Sequence, residues 1–61
     1  MSKLYEDSLK LSINENLRNI RTILDWAEEA GDLDDKIAHA AQAYRLLGEA
    51  VENLQELKRA R

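Results

Sequence analysis

No proline interrupts this chain, and glycine occurs only at Gly31 and Gly48. Proline breaks a helix interior by removing a donor and clashing with the preceding turn, and glycine weakens one through backbone entropy. A chain nearly free of both has few obligatory breaks and is suited to long helices. The apolar spacing agrees. Tyr5, Leu9, Ile13, Leu17, Ile20, Leu24 and Ala27 recur at steps of three or four, and Ile23 and Ala30 widen the stripe. This is the pattern of a helix buried along one side. Ile37, Ala41, Tyr44, Leu47, Val51 and Leu54 repeat the spacing and read as the main seam of a second helix, with Tyr44 in the core.

The residues between the two stripes carry turn chemistry. Gly31 follows the last periodic position and is expected to end the first helix in the left-handed conformation. Asp32 is placed to cap the next helix, and Asp34 and Asp35 fall in its first turn, where the helix dipole favours negative charge. Leu33 is expected to pack back on the turn. Ser12-Ile13-Asn14-Glu15 has the form of a capping box and would allow a helix to start there. The Tyr5-Leu9-Ile13 spacing runs through Ser12 without a phase shift, which favours one continuous helix. The expected organisation is a single all-α domain over residues 1–61: helix 1 over about 3–30, a turn at 30–33 and helix 2 over about 33–59. Each helix would be about 40 Å long at ~1.5 Å per residue. A short connection between equal helices makes an antiparallel hairpin.

A domain of 61 residues is marginal alone. Cysteine is absent and His39 is the sole histidine, which removes disulfides and disfavours a zinc site. Helix 2 is also apolar beyond its main seam, at Ala40, Ala43, Leu46, Ala50 and Leu57. One neighbour covers roughly a 100° arc of a helix, so a second neighbour is implied. The expected solution is a homodimer in which two hairpins pack, coiled-coil fashion, as a four-helix bundle. Its dimer and core packing residues would be Leu9, Ile13, Leu17, Ile20, Leu24, Ile37, Ala41, Tyr44, Leu47, Gly48, Val51 and Leu54. Gly48 costs ~1 kcal/mol relative to alanine within a helix, and close helix contact there would explain its use.

Charge bears on the geometry. Asp25, Glu28, Glu29, Asp32, Asp34 and Asp35 surround the turn with no basic residue among them. Lys3, Lys10, Lys58, Arg59 and Arg61 stand at the other end, against Glu6, Asp7 and Glu56. Two hairpins with turns at opposite ends would bring opposite charges together, so an antiparallel dimer is expected.

The residues supply no Ser/His/Asp arrangement, phosphate-cradling glycine loop or metal-binding helix motif. The expectation is therefore a protein that is not an enzyme and takes no cofactor or metal. The carboxylates at the turn do not have the spacing of a calcium loop. His39 lies off the main seam and reads as a solvated or interfacial residue. Asn16 falls on the seam between Ile13 and Ile20, where a polar side chain sets register, or at its edge. Trp26 flanks the seam and either closes the bundle near the turn or, with Leu4, Leu11 and Leu46, forms the candidate contact for a protein partner. Lys10, Asn14, Arg18 and Arg21 share the polar face of helix 1, a candidate contact for RNA phosphates and sugars. The net charge of -3 does not itself point to nucleic acid. No apolar run reaches the roughly 20 residues of a membrane span. A cytoplasmic location is the default expectation.

The helix–turn–helix plan and the basic and amide face of helix 1 resemble the plasmid-encoded Rop family, small hairpins that dimerise into four-helix bundles and bind paired RNA loops. That resemblance implies an RNA-binding modulator. Ala27, Gly31, Asp34 and Ile37 fall at spacings similar to the turn of the small aspartyl-phosphate phosphatases of sporulation control. That family's Ser-Gln-Glu-Leu-Asp signature would fall on Ala41-Gln42-Ala43-Tyr44-Arg45. Only Gln42 matches, and Arg45 holds the catalytic aspartate's position. The leading expectation is a small regulator or adaptor that acts by binding a protein partner. The alternatives are the RNA-binding modulator and a purely structural or designed bundle.

Overall fold

A computed structural model of the chain describes residues 2–60. Helix α1 spans Lys3–Glu29 and α2 spans Leu33–Ala60. They pack side by side as an antiparallel hairpin whose Cα extents are 46 × 14 × 10 Å.

Local chemistry sets the helix starts. Ser2 is extended, and its Oγ accepts the Tyr5 N–H at 3.2 Å, which satisfies one of the donors a helix N-terminus leaves open. α1 then runs unbroken through Ser12. At the second start, Asp32 Oδ2 accepts the Asp35 N–H at 3.2 Å and its carbonyl accepts the Lys36 N–H at 3.0 Å, as expected of Asp32.

The end of α1 differs from the expectation. Gly31 is not left-handed. The chain leaves the helix through an extended Ala30, φ -60° and ψ 130°, whose N–H donates to the Trp26 carbonyl at 2.9 Å. The open carbonyls before it are met from the other helix: Lys36 Nζ donates to the carbonyls of Ala27 at 3.1 Å and Glu28 at 3.0 Å. A cation there also complements the negative end of the helix dipole. With that cap in place no left-handed residue is needed. Leu33 does not pack back; it is 70% exposed.

The inner seam follows a heptad rhythm. On α1 the less exposed positions include Leu9, Ile13, Asn16, Ile20, Ile23 and Ala27. On α2 they include Lys36, His39, Ala43, Leu46, Ala50, Asn53 and Leu57. Both alternate steps of three and four, the spacing that keeps two helices in register along a shared seam. Ile20, Ile23 and Ala43 form its buried centre, with Leu46 packed against them. Ile13 is also buried, and Ala50 is 0% exposed.

This corrects the seam expected on helix 2. Ile37, Ala41, Tyr44, Leu47, Val51 and Leu54 do not face α1. All six are exposed, Tyr44 at 79%. The facing stripe lies one residue back, a rotation of about 100° on the helix. The reason is steric fit. Ala43 and Ala50 leave room for the branched Ile13, Ile20 and Ile23, and small residues let helix axes approach. On α1, Ile23 takes the seam while Leu17 and Leu24 stay exposed. Gly48 is likewise open: a Cβ built on it would meet nothing within 4 Å, so the hairpin itself does not use its small size.

Much apolar surface remains. The chain exposes 4870 Å², whereas a compact monomer of its 7.0 kDa mass is expected to expose roughly 4,000 Å².

Candidate interaction surfaces

The hairpin has two flanks, and their chemistry differs. On the first, Asn19, Thr22 and Trp26 of α1 and Gln42 of α2 edge a shallow groove over Ile23 and Leu46. The Trp26 and His39 rings meet edge to face, with centroids 5.9 Å apart at 62°. Toward the open end of the same flank, the Tyr5 hydroxyl donates to Glu56 Oε1 at 3.2 Å, and Arg59 Nη2 donates to Glu56 Oε2 at 2.8 Å. Those two hydrogen bonds, the Arg59 bond foremost, hold the Glu56 carboxyl below its usual range. Desolvation first, and then the bond to Glu56, push the Tyr5 hydroxyl up.

Since Trp26, Asn19 and Tyr5 adjoin α2 on this flank, Leu17 and Leu24 lie on the opposite one. There the exposed apolar side chains are Leu17 and Leu24 of α1 and Ile37, Tyr44, Leu47, Val51 and Leu54 of α2. Tyr44, Leu47, Gly48 and Val51 line a notch in this face. Both stripes turn basic toward the open end, at Lys3 and Lys10 on α1 and Lys58 on α2. At the turn end stand Asp25, Glu28, Asp32 and Asp34. Arg61, part of the basic end in sequence, lies outside the described residues.

The expected packing residues therefore divide. Ile13 and Ile20, with the half-buried Leu9, belong to the seam inside the hairpin. Leu17, Leu24, Ile37, Ala41, Tyr44, Leu47, Gly48, Val51 and Leu54 are exposed. The candidate partner contacts divide as well. Trp26, 51% exposed, shares its groove with Leu46. Leu4 and Leu11 stand seven residues apart on the outer face of α1, away from that groove; Leu4 is 81% exposed. Lys10, Asn14, Arg18 and Arg21 are all exposed. Asn16 and His39 are half-buried on the seam, so His39 is a seam residue that the expected phase of helix 2 had placed outside it. Lys36 was missed altogether. Its distance from the α1 carbonyls in sequence hides the contact, and only its i+4 position after Asp32 hints that it faces back.

Among the described residues no group of three or more His, Asp or Glu side chains is placed to hold a metal ion, and no helix is long and apolar enough to cross a membrane. No protein-family model, curated protein or solved structure matches the chain.

Proposed function

We propose that this hairpin is a small non-enzymatic regulator or adaptor that works as a homodimer, two copies packing their Leu17/Leu24/Tyr44/Leu47 faces into an antiparallel four-helix bundle. The observation that carries the reading is the seven-residue apolar face on one flank, larger than the apolar set buried inside the hairpin. Monomeric soluble proteins rarely leave a contiguous face of this kind open. The face runs from Ile37 to Leu54, roughly 26 Å of helix at ~1.5 Å per residue, and reaches across to Leu17 and Leu24 of α1. The opposite flank, with Trp26 in its polar-edged groove, stays free in such a dimer and is the surface for a protein partner.

Sedimentation equilibrium of the full chain at micromolar concentration is the direct test. A mass near twice 7.0 kDa is expected, and a monomer throughout would overturn the reading.

The exposure of Lys10, Asn14, Arg18 and Arg21 on one helix supports a second reading, RNA binding. Salt-dependent RNA binding that disappears in Arg18→Ala/Arg21→Ala would favour it over the first.

A further inference from the structure

We infer that α2 pairs antiparallel with α2 of a second copy, in a register that seats each Tyr44 ring on the Gly48 notch of the other copy. This rests on the dimer proposed above and deepens it by naming the contact at its centre.

Three observations lead to this register. Gly48 is a poor helix former in the middle of a 28-residue helix, and nothing in its own hairpin occupies the space a side chain would take. Tyr44, 79% exposed, is the largest side chain of the apolar face and stands one turn away, on the rim of the same notch. In a two-fold antiparallel pair, residues equally far on either side of the axis meet. An axis midway between Tyr44 and Gly48 therefore brings each large ring to the other copy's gap.

The same axis brings Ala41 to the level of the second copy's Val51 and Ile37 to within one residue of the level of its Leu54, so apolar residues cover apolar residues. On α1 the Tyr5–Glu56 and Ile20–Ala43 pairings put that height beside Leu17, so the Leu17 side chains of the two copies stand together at the axis.

Charge agrees independently. The register sets Lys58 of one copy level with Asp34 of the other, and Lys3 level with the other copy's turn, where Asp32 stands. Packing with the turns together would instead stack the acids of both turns at one end, and the lysines at the other.

Cysteine is absent from the chain, so single cysteines report geometry cleanly. Asp34 and Lys58 are both exposed and lie roughly 36 Å apart along one α2 at ~1.5 Å per residue. Proteins carrying Asp34→Cys and Lys58→Cys are mixed under mild oxidation. The mixed disulfide is expected to dominate over either homodisulfide. Gly48→Leu is then compared with the wild type by sedimentation. Leucine is a better helix former, so monomer helicity should hold or rise. Filling the notch should still weaken the dimer about ten-fold or more, and adding Tyr44→Ala should recover most of that loss.

Mixed disulfide formation together with an undiminished Gly48→Leu dimer would overturn this register and leave the antiparallel dimer standing. A dominant Asp34→Cys homodisulfide would overturn both the register and the antiparallel packing. A monomeric wild type would remove the dimer beneath them.

Discussion

α2 carries two apolar stripes one residue out of step, and they differ in volume. The inner stripe is Ala43, Leu46 and Ala50; the outer is Tyr44, Leu47 and Val51. If burial within the hairpin were governed by apolar area alone, the outer stripe would face α1, because burial stabilises in proportion to area. The arrangement is the reverse. Small residues go inside, where they admit the isoleucines of α1, and large ones stay outside. The difference teaches that packing fit inside the hairpin outweighed area. The outer area is left to contribute only if something else covers it.

Four changes break or sharpen that comparison. The largest effect is expected on the inner side. Ile20→Ala removes a buried branched side chain at a cost of about 2–5 kcal/mol, comparable to the whole stability of so small a domain. Helicity by circular dichroism should collapse at ambient temperature, and a wild-type melt would show that the inner seam is not the core. Next is the outer side. Leu47→Lys leaves the inner seam intact and should cost the dimer about 3 kcal/mol, on the order of 100-fold in Kd. Sedimentation reads this, and an unchanged dimer would mean that the outer stripe does not serve association.

Lys36 sharpens the inner side at one point, where among the described residues a seam side chain caps the end of the other helix. Lys36→Ala removes two hydrogen bonds to the last turn of α1 and should cost about 1–2 kcal/mol. Amide exchange should quicken locally at the end of α1; unaltered exchange there would argue that water caps the end equally well.

The smallest effect belongs to the Tyr5–Glu56–Arg59 link on the polar flank. The Glu56 value is lowered in the fold from an ordinary 4.5. Its contribution is therefore present above 4.5 and lost as pH falls through the lower folded value. The Tyr5 value is raised from 10.0, so its contribution is complete below 10.0 and lost as pH rises through the higher folded value. Glu56→Gln should flatten the acid side of a melting-temperature profile slightly. A profile identical to the wild type would mean that these exposed bonds contribute nothing to stability.

Part of this was legible from residues alone. The rarity of breakers and the two periodic stripes place two helices, and Asp32 announces the second start. The excess apolar arc of helix 2 announces that α1 leaves part of it exposed. Which stripe faces α1 was not legible, because Ala43-Leu46-Ala50 and Tyr44-Leu47-Val51 share one period. A period describes a helix relative to itself and holds no information about where its neighbour lies. Gly31 misled for a similar reason. A glycine after a helix permits a left-handed exit, but Lys36, reaching back from α2, supplied the cap without one.

By itself, then, the sequence determined two long helices, their turn and an apolar surface too wide for a single hairpin to bury. These follow from backbone propensity and spacing, which are local. Only the tertiary structure decided that alanines meet isoleucines inside, that a lysine closes α1, and that Tyr44 and Gly48 stand together on the open face. Those outcomes depend on how two particular surfaces fit, and fit is a property of the pair.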